Sequence, residues 1–218
     1  IVRKGPKREF SKARDKQNRR ESALFWEERN QWYSDVWLGL IGTQQKLTKN
    51  NSRLRSGAFP FELAYRLINM YSVKGDTVVD PYLATGTTML AAMPCGRNSI
   101  GYELDSALRE VILAGKNSVI SSSNNRIHQR LRDHITFVEE RRKEKGRFKY
   151  INKPYKFPVI TRQEQELFFN PLQEMNQCDE NTMEVDYLDV PGEDFSGDWQ
   201  HLLSDLSKKP ASGQLELF

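Results

Sequence analysis

A chain of 218 residues that is 38% hydrophobic, with a mean hydropathy of −0.70 and a net charge of +4, can bury one medium core and should carry solvated or partner-facing segments beside it. Its two cysteines, Cys95 and Cys178, lie far apart and outside any Cys-x-x-Cys pattern. That argues against a zinc site or a disulfide framework and suits a reducing cytoplasm. No apolar run approaches the roughly 18 residues of a membrane span and no signal peptide is expected; a first residue of Ile rather than Met points to a piece of a longer chain.

The charge is uneven along the chain. Residues 1–55 hold 14 Lys/Arg against 6 Asp/Glu, residues 126–149 hold 9 against 4, and residues 163–207 hold none against 12. Basic blocks of this kind attract phosphate backbones, although an ordinary solvated face would read the same way.

Residues 1–22 are polar and basic, with Arg19 and Arg20 among the cations. Phe25, Trp26, Trp32, Tyr33 and Trp37 follow, either to stack on bases or to anchor a small core. Gly39 through Ser52 reads as loop. Pro60, with Glu62 behind it and Leu63, Leu67 and Met70 at helical spacing, predicts a helix from Phe61 to Tyr71. Thr77-Val78-Val79-Asp80 suits a buried parallel strand. A turn from Pro81 to Gly86 should open a helix over Thr87 to Met93, followed by a strand at Ser99 to Tyr102 and a third helix at about Ser106 to Ser118.

This order begins a doubly wound α/β sheet. Residues 126–143 predict another basic helix, and Phe157–Thr161 a short strand. Lys153-Pro154-Tyr155 reads as a turn, and the acidic stretch from 163 onward as irregular. The chain thus divides into a basic segment (1–55), an α/β core (56–122), a basic helix with its extension (123–170), and an acidic tail ending in an apolar peptide (171–218).

In an open α/β sheet, ligands bind beyond the carboxyl ends of the strands. Asp80 ends one predicted strand and Glu103 follows the next, 23 residues later. Between them Pro81-Tyr82-Leu83-Ala84-Thr85-Gly86-Thr87-Thr88 offers small residues and hydroxyls, with Gly86 permitting close backbone approach. An acid after the second strand suits two ribose hydroxyls, and an acid after the first suits a ligand ammonium. The generic pattern fits many nucleotide-binding sheets.

The wording of the turn resembles the Asp-Pro-Phe-x-Gly-Ser-Gly-Thr-Thr signature of DNA amino-methyltransferases, with Ala84 and Thr85 in place of its first glycine and serine. Phe59-Pro60-Phe61-Glu62-Leu63 is similar to that family's Phe-Pro-x-x-Leu element, and Gly96-Arg97-Asn98-Ser99-Ile100-Gly101-Tyr102-Glu103 to its Gly-Arg-x-x-Ile-Gly-x-Glu segment. The resemblance implies S-adenosylmethionine as cofactor in a partial, Rossmann-like methyltransferase sheet. Asp80 and the backbone about Tyr82, Ala84, Gly86 and Thr87 would hold the methionine moiety, with Phe59 and Pro60 flanking it. Glu103 would take the ribose. Ala84 must accept either a negative φ or some strain.

The family's catalytic Asp/Asn/Ser-Pro-Pro-aromatic tetrapeptide is missing, since the chain contains no Pro-Pro pair. Trp32-Tyr33-Ser34-Asp35-Val36-Trp37 resembles the Trp-x-x-Asp-Val-Trp stretch that some members carry upstream of the cofactor motifs. The resemblance therefore implies a catalytic motif in a missing N-terminal half or a partner subunit, with double-stranded DNA as substrate and restriction-modification as the setting. No catalytic residue is assigned to this chain, which should not turn over by itself. A non-catalytic cofactor- or DNA-binding module, or a methyltransferase acting on RNA or protein, are the alternatives. Gln214-Leu215-Glu216-Leu217-Phe218 resembles the motif by which bacterial replication proteins dock on the sliding clamp; folding back onto the sheet is the other reading. His128, His134 and His201 show no metal-ligand spacing and read as surface or helix-face residues.

Overall fold

The computed structural model describes residues 6–40, 59–145 and 148–192. The Gln214–Phe218 peptide and most of the 39–52 loop lie outside them. Two helices open the fold, α1 (Ala13–Glu21) and α2 (Trp26–Trp32). Within the basic N-terminal segment, residues 6–40 thus carry two helices. α1 buries none of its residues. It is tied down at its end by Glu21, whose carboxylate takes Lys74 Nζ at 2.8 Å and whose carbonyl takes the Phe168 N–H. Of the aromatic cluster, Phe25 and Trp32 are buried, Trp26 stacks on Phe137, and Tyr33 remains half exposed. Core anchoring therefore accounts for the first three.

α3 (Phe61–Tyr71) has the predicted bounds, with Pro60 as its N-cap and Ala64, Tyr65 and Ile68 turned into the core. Residues 72–76 reverse the chain into β1 (Thr77–Asp80), so the start of α3 lies toward the carboxyl end of that strand. α4 (Thr87–Ala92) and a 3-10 turn (Met93–Cys95) cross over to β2 (Asn98–Gly101). The two strands pair in parallel, from Thr77 opposite Asn98 to Asp80 opposite Gly101. This β1–α4–β2 unit is a partial α/β sheet of the doubly wound kind. The first strand is parallel as expected but not buried: Val78 packs under α3 and α4, whereas Val79 and Ile100, opposite each other on the other face, are 57% and 48% exposed.

The predicted third helix is broken. A 3-10 turn (Ser106–Leu108), with Asp105 as its cap, runs into α5 (Arg109–Ala114), and Gly115 separates that from α6 (Lys116–Lys145). α6 is 30 residues long, where the sequence predicted only 126–143, and it crosses the expected boundary at 122/123 unbroken. The polar run Ser121–Asn125 did not stop it because tertiary partners absorb it. Ser123 is buried, and the Asn124 amide bonds both the N–H and the C=O of Leu172.

The predicted strand at 157–161 shrinks to β4 (Pro158–Val159), paired antiparallel with β3 (Tyr150–Ile151). Between them Lys153-Pro154-Tyr155 is the predicted turn. It is organised by buried Asn152, which accepts from the Tyr155 N–H and donates to the carbonyls of Glu164 and Leu167. The expectation of an irregular acidic stretch fails over residues 172–187. β5 (Leu172–Gln177) and β6 (Met183–Tyr187) form an antiparallel hairpin with a bulge after Leu172. Met183, Val185 and Tyr187 point inward at a period of two, and the Tyr187 hydroxyl donates to the Met93 carbonyl.

Two apolar clusters result. One gathers Trp32, Tyr65, Ile68 and Ala91 beside the parallel strands; the other gathers Phe25, Leu131, Phe157 and Phe169 around α6. Arg130 joins them, its guanidinium lying over the rings of Trp32 and Tyr65 on one side and Phe169 on the other.

Candidate functional site

The site is built on the end of β1. Asp80 closes the strand, and its carboxylate turns back on the loop: Oδ1 accepts the Tyr82 N–H at 3.0 Å and Oδ2 the Thr88 hydroxyl at 2.5 Å. The ladder continues one step past the strands, where Tyr102 N–H donates to the Asp80 carbonyl and Leu83 N–H to the Tyr102 carbonyl. Ala84 takes the strained option, φ 49°, and Gly86 follows at φ 82° as the residue before α4. A left-handed Gly is unstrained, whereas left-handed Ala costs about 1–2 kcal/mol. The Thr85 and Thr87 hydroxyls lie 3.4 Å apart beneath the turn.

Glu103 completes it. Its Oε2 accepts the Ala84 N–H at 2.8 Å and its Oε1 the Asp105 N–H at 2.9 Å. Those N–H groups, Asp105 foremost and then Ala84, hold the carboxyl below its ordinary range, so it is ionised at neutral pH. The carboxylate keeps acceptor capacity for a further donor. The loop and the second strand are therefore clasped by a carboxylate that can still bind hydroxyls.

Asp80, Tyr82, Ala84, Gly86, Thr87 and Glu103 thus come together in one turn at the carboxyl ends of parallel strands. Phe59 and Pro60 stand at the start of α3, toward the same end, with Phe59 37% exposed. The surface is open: Tyr82 is 85% exposed and Leu104 fully so. Two contributors escaped the sequence reading. Leu83 packs against Gly101, where a Cβ would lie 2.6 Å from its Cδ2. Tyr102 contributes its backbone rather than its side chain. The close approach of Leu83 is a tertiary fact with no local signal.

His134 is no surface residue. It is fully buried and stacked on Phe25 at 3.8 Å between centroids. Its Nδ1 lies 2.6 Å from Glu27 Oε1 and its Nε2 3.0 Å from the Pro158 carbonyl. Glu164 is near enough for the three residues to offer clustered ligand atoms. However, Glu164 is already engaged by the N–H groups of Trp26 and Thr161 and by the Thr161 hydroxyl. Both imidazole nitrogens face oxygen acceptors, so hydrogen bonding explains the cluster.

Comparison with known proteins finds a matching family model and similar sequences. A family model described as DNA methylase, of the N6/N4 type, matches residues 3–114. The chain is 48% identical over 190 residues to the type II methyltransferase M.MthZI of Methanothermobacter thermautotrophicus, covering 87% of this chain and 52% of that protein. It is 46% identical over 112 residues to the type II methyltransferase M.MjaI of Methanocaldococcus jannaschii, covering 51% and 35% respectively. The chain therefore spans about half, or less, of these relatives' lengths. A solved structure of a proposed DNA modification methylase from Thermus thermophilus shares 30% identity across 53% of this chain and 41% of its own, with a TM-score of 0.41.

Proposed function

Because the chain belongs to the N6/N4 DNA methylase family, we propose that it supplies the S-adenosylmethionine-binding half of an enzyme that methylates an exocyclic amine of DNA, N6 of adenine or N4 of cytosine. The observation that carries the reading is the clasp of Glu103 on the Ala84 N–H at the mouth of two parallel strands.

The residues present fit such a cofactor. Glu103 keeps acceptor capacity for the ribose hydroxyls, and the Asp80 carboxylate faces the same loop for an ammonium. Gly86 has no side chain and Ala84 only a methyl, so the backbone of the left-handed turn is open to the methionine moiety. Phe59 and Pro60 flank it with apolar surface. When bound, the cofactor supplies an electrophilic methyl group on a sulfonium. This chain's part is to hold that group at a fixed place on the sheet's edge, because in-line transfer depends on position.

No Pro-Pro-aromatic tetrapeptide occurs in the sequence, so the groups that hold the target amine come from outside this chain. The exposed Val79 and Ile100 face, with Tyr82, Tyr102 and Leu104 beyond it, supports that division. An uncovered apolar sheet face suits the remaining layer of the catalytic domain. A cofactor-binding module that works only in complex with its partner is the same arrangement split between two chains.

Titration calorimetry with S-adenosylmethionine, on the 218-residue chain and on the complete enzyme, tests the cofactor site. Saturable binding that is lost in the Asp80→Ala variant is expected. Binding indifferent to that change refutes the assignment.

A further inference from the structure

We propose that an open basic cleft at the amino-terminal pole of the parallel strands, opposite the cofactor turn, is a binding site for the phosphodiester backbone of DNA. The proposal rests on the DNA-methylating function above for its choice of polyanion and on the cleft itself for everything else.

The cleft encloses about 1350 Å³. It is lined by Lys7, Arg8, Lys16, Arg19, Arg20 and Arg29, against a single acid, Glu9. Its floor is the far end of α3 and the connection to β1, through Met70, Ser72 and Val73. α3 has 11 residues and so separates this pole from the cofactor turn by about 16 Å at 1.5 Å per residue. Arg8 bonds both oxygens of Asp76, the residue just before β1, which fixes the N-terminal arm to this end of the sheet.

Two of the six cations are ion-paired, Arg8 with Asp76 and Arg20 with Glu166, and the other four are not among the described residues. Arg8 and Arg19 both lie over the Phe10 ring, 4.6 and 5.0 Å from its centroid, which gathers two like charges about one ring. Arg20 reaches Glu166 only at 3.4 Å, and Arg29 donates to the uncharged amide of Gln163. Lys7, Lys16 and Arg19 make no ion pair among the described residues. A neighbouring cleft between α2, α3 and α6 behaves differently: its arginines 66, 126 and 130 are paired with Glu62 and Glu28.

α1 gives the cleft its purpose. A helix that is polar all round and buries nothing contributes no core, yet Lys74 and Phe168 pin its end through Glu21. That anchoring holds Lys16 and Arg19 on the cleft wall. Phosphates spaced along a strand match a row of long cationic side chains, and releasing their counterions drives binding. Contacts at this pole would grip the duplex independently of sequence, away from the methyl donor.

The test is fluorescence anisotropy with a labelled 20-base-pair duplex of arbitrary sequence, without cofactor, from about 50 to 200 mM salt, on the full chain. Because α1 buries no residue, Lys16→Ala with Arg19→Ala leaves the core intact, which circular dichroism checks. Arg132→Ala with Lys143→Ala removes the same charge from exposed positions on α6. The expected result is a salt slope smaller by about 2 in the cleft variant, with the α6 variant like wild type. Equal slopes in all three, an equal drop in both variants, or no binding by wild type at 50 mM overturns the proposal. If an acidic protein segment occupied the cleft instead, DNA binding would not respond to the α1 changes. The cofactor titration is read separately, so lost cofactor binding with a reduced slope refutes the function and leaves the cleft.

Discussion

The backbone N–H of Ala84 donates to the carboxylate of Glu103 at 2.8 Å, joining a turn after the first parallel strand to the residue after the second. Glu103→Ala deletes both the clasp and the acceptor offered to a ligand. S-adenosylmethionine affinity, measured by calorimetry in the complete enzyme, should fall roughly tenfold or more. Glu103→Gln keeps one acceptor oxygen and should fall less. Equal affinity in all three proteins would remove Glu103 from the site.

Ala84 sits at φ 49°, a conformation glycine adopts without strain. Ala84→Gly should stabilise the fold by about 1 kcal/mol, partly offset by the freer unfolded chain. Thermal unfolding reads the gain. A lower melting temperature would show that the Ala84 methyl packs in a way that outweighs its backbone strain.

Arg130 and Glu28 lie 102 positions apart and pair in two places where the two apolar clusters meet. Burial works against the guanidinium's charge, but Glu28 and then Tyr65 hold it protonated. Glu28→Gln leaves a buried cation without its counterion, a loss of about 3–5 kcal/mol. The midpoint of urea unfolding should shift accordingly. Replacing Arg130 and Glu28 together by Leu and Gln should cost less than the two single changes added.

Burial pushes the Glu27 carboxyl up, with His134 pulling it back only in part. The Pro158 carbonyl can only accept, so His134 Nε2 donates to it and Nδ1 is left facing the Glu27 carboxyl. A carboxyl raised on folding means that the native state binds more protons. Stability from this group is therefore present at low pH and lost as pH rises from about 4.5 through the raised value. Glu27→Gln should flatten the melting temperature over that rise. A variant as steep as wild type would place the titration elsewhere.

Burial pushes the Cys95 thiol up to about 11, and the side chain is enclosed by Ala91 and Asn69. Cys178 is exposed at the end of the hairpin. Iodoacetamide at pH 8 should label Cys178 in the native protein and Cys95 only after unfolding. Native labelling at Cys95 would mean that the contact between α3 and α4 opens.

The turn from Asp80 to Thr88, the strand before it and the whole of α3 were legible because their signals are local. Pro60 starts a helix, a run of β-branched residues makes a strand, and Gly86 permits a left-handed backbone wherever it stands. Glu103 was singled out by its distance from Asp80, one crossover unit, but its clasp on Ala84 is a tertiary contact. What tertiary structure decided were the features whose partners lie far away in the chain. The polar run 121–125 stayed helical because Asn124 found the backbone of Leu172, and the hairpin 172–187 formed because Tyr187 reached Met93. His134, a lone histidine in the sequence, became a core residue because Phe25 and Pro158 enclose it. Local spacing fixes which conformation a segment prefers, but the burial of a charge or an amide depends on whether a distant group arrives to satisfy it.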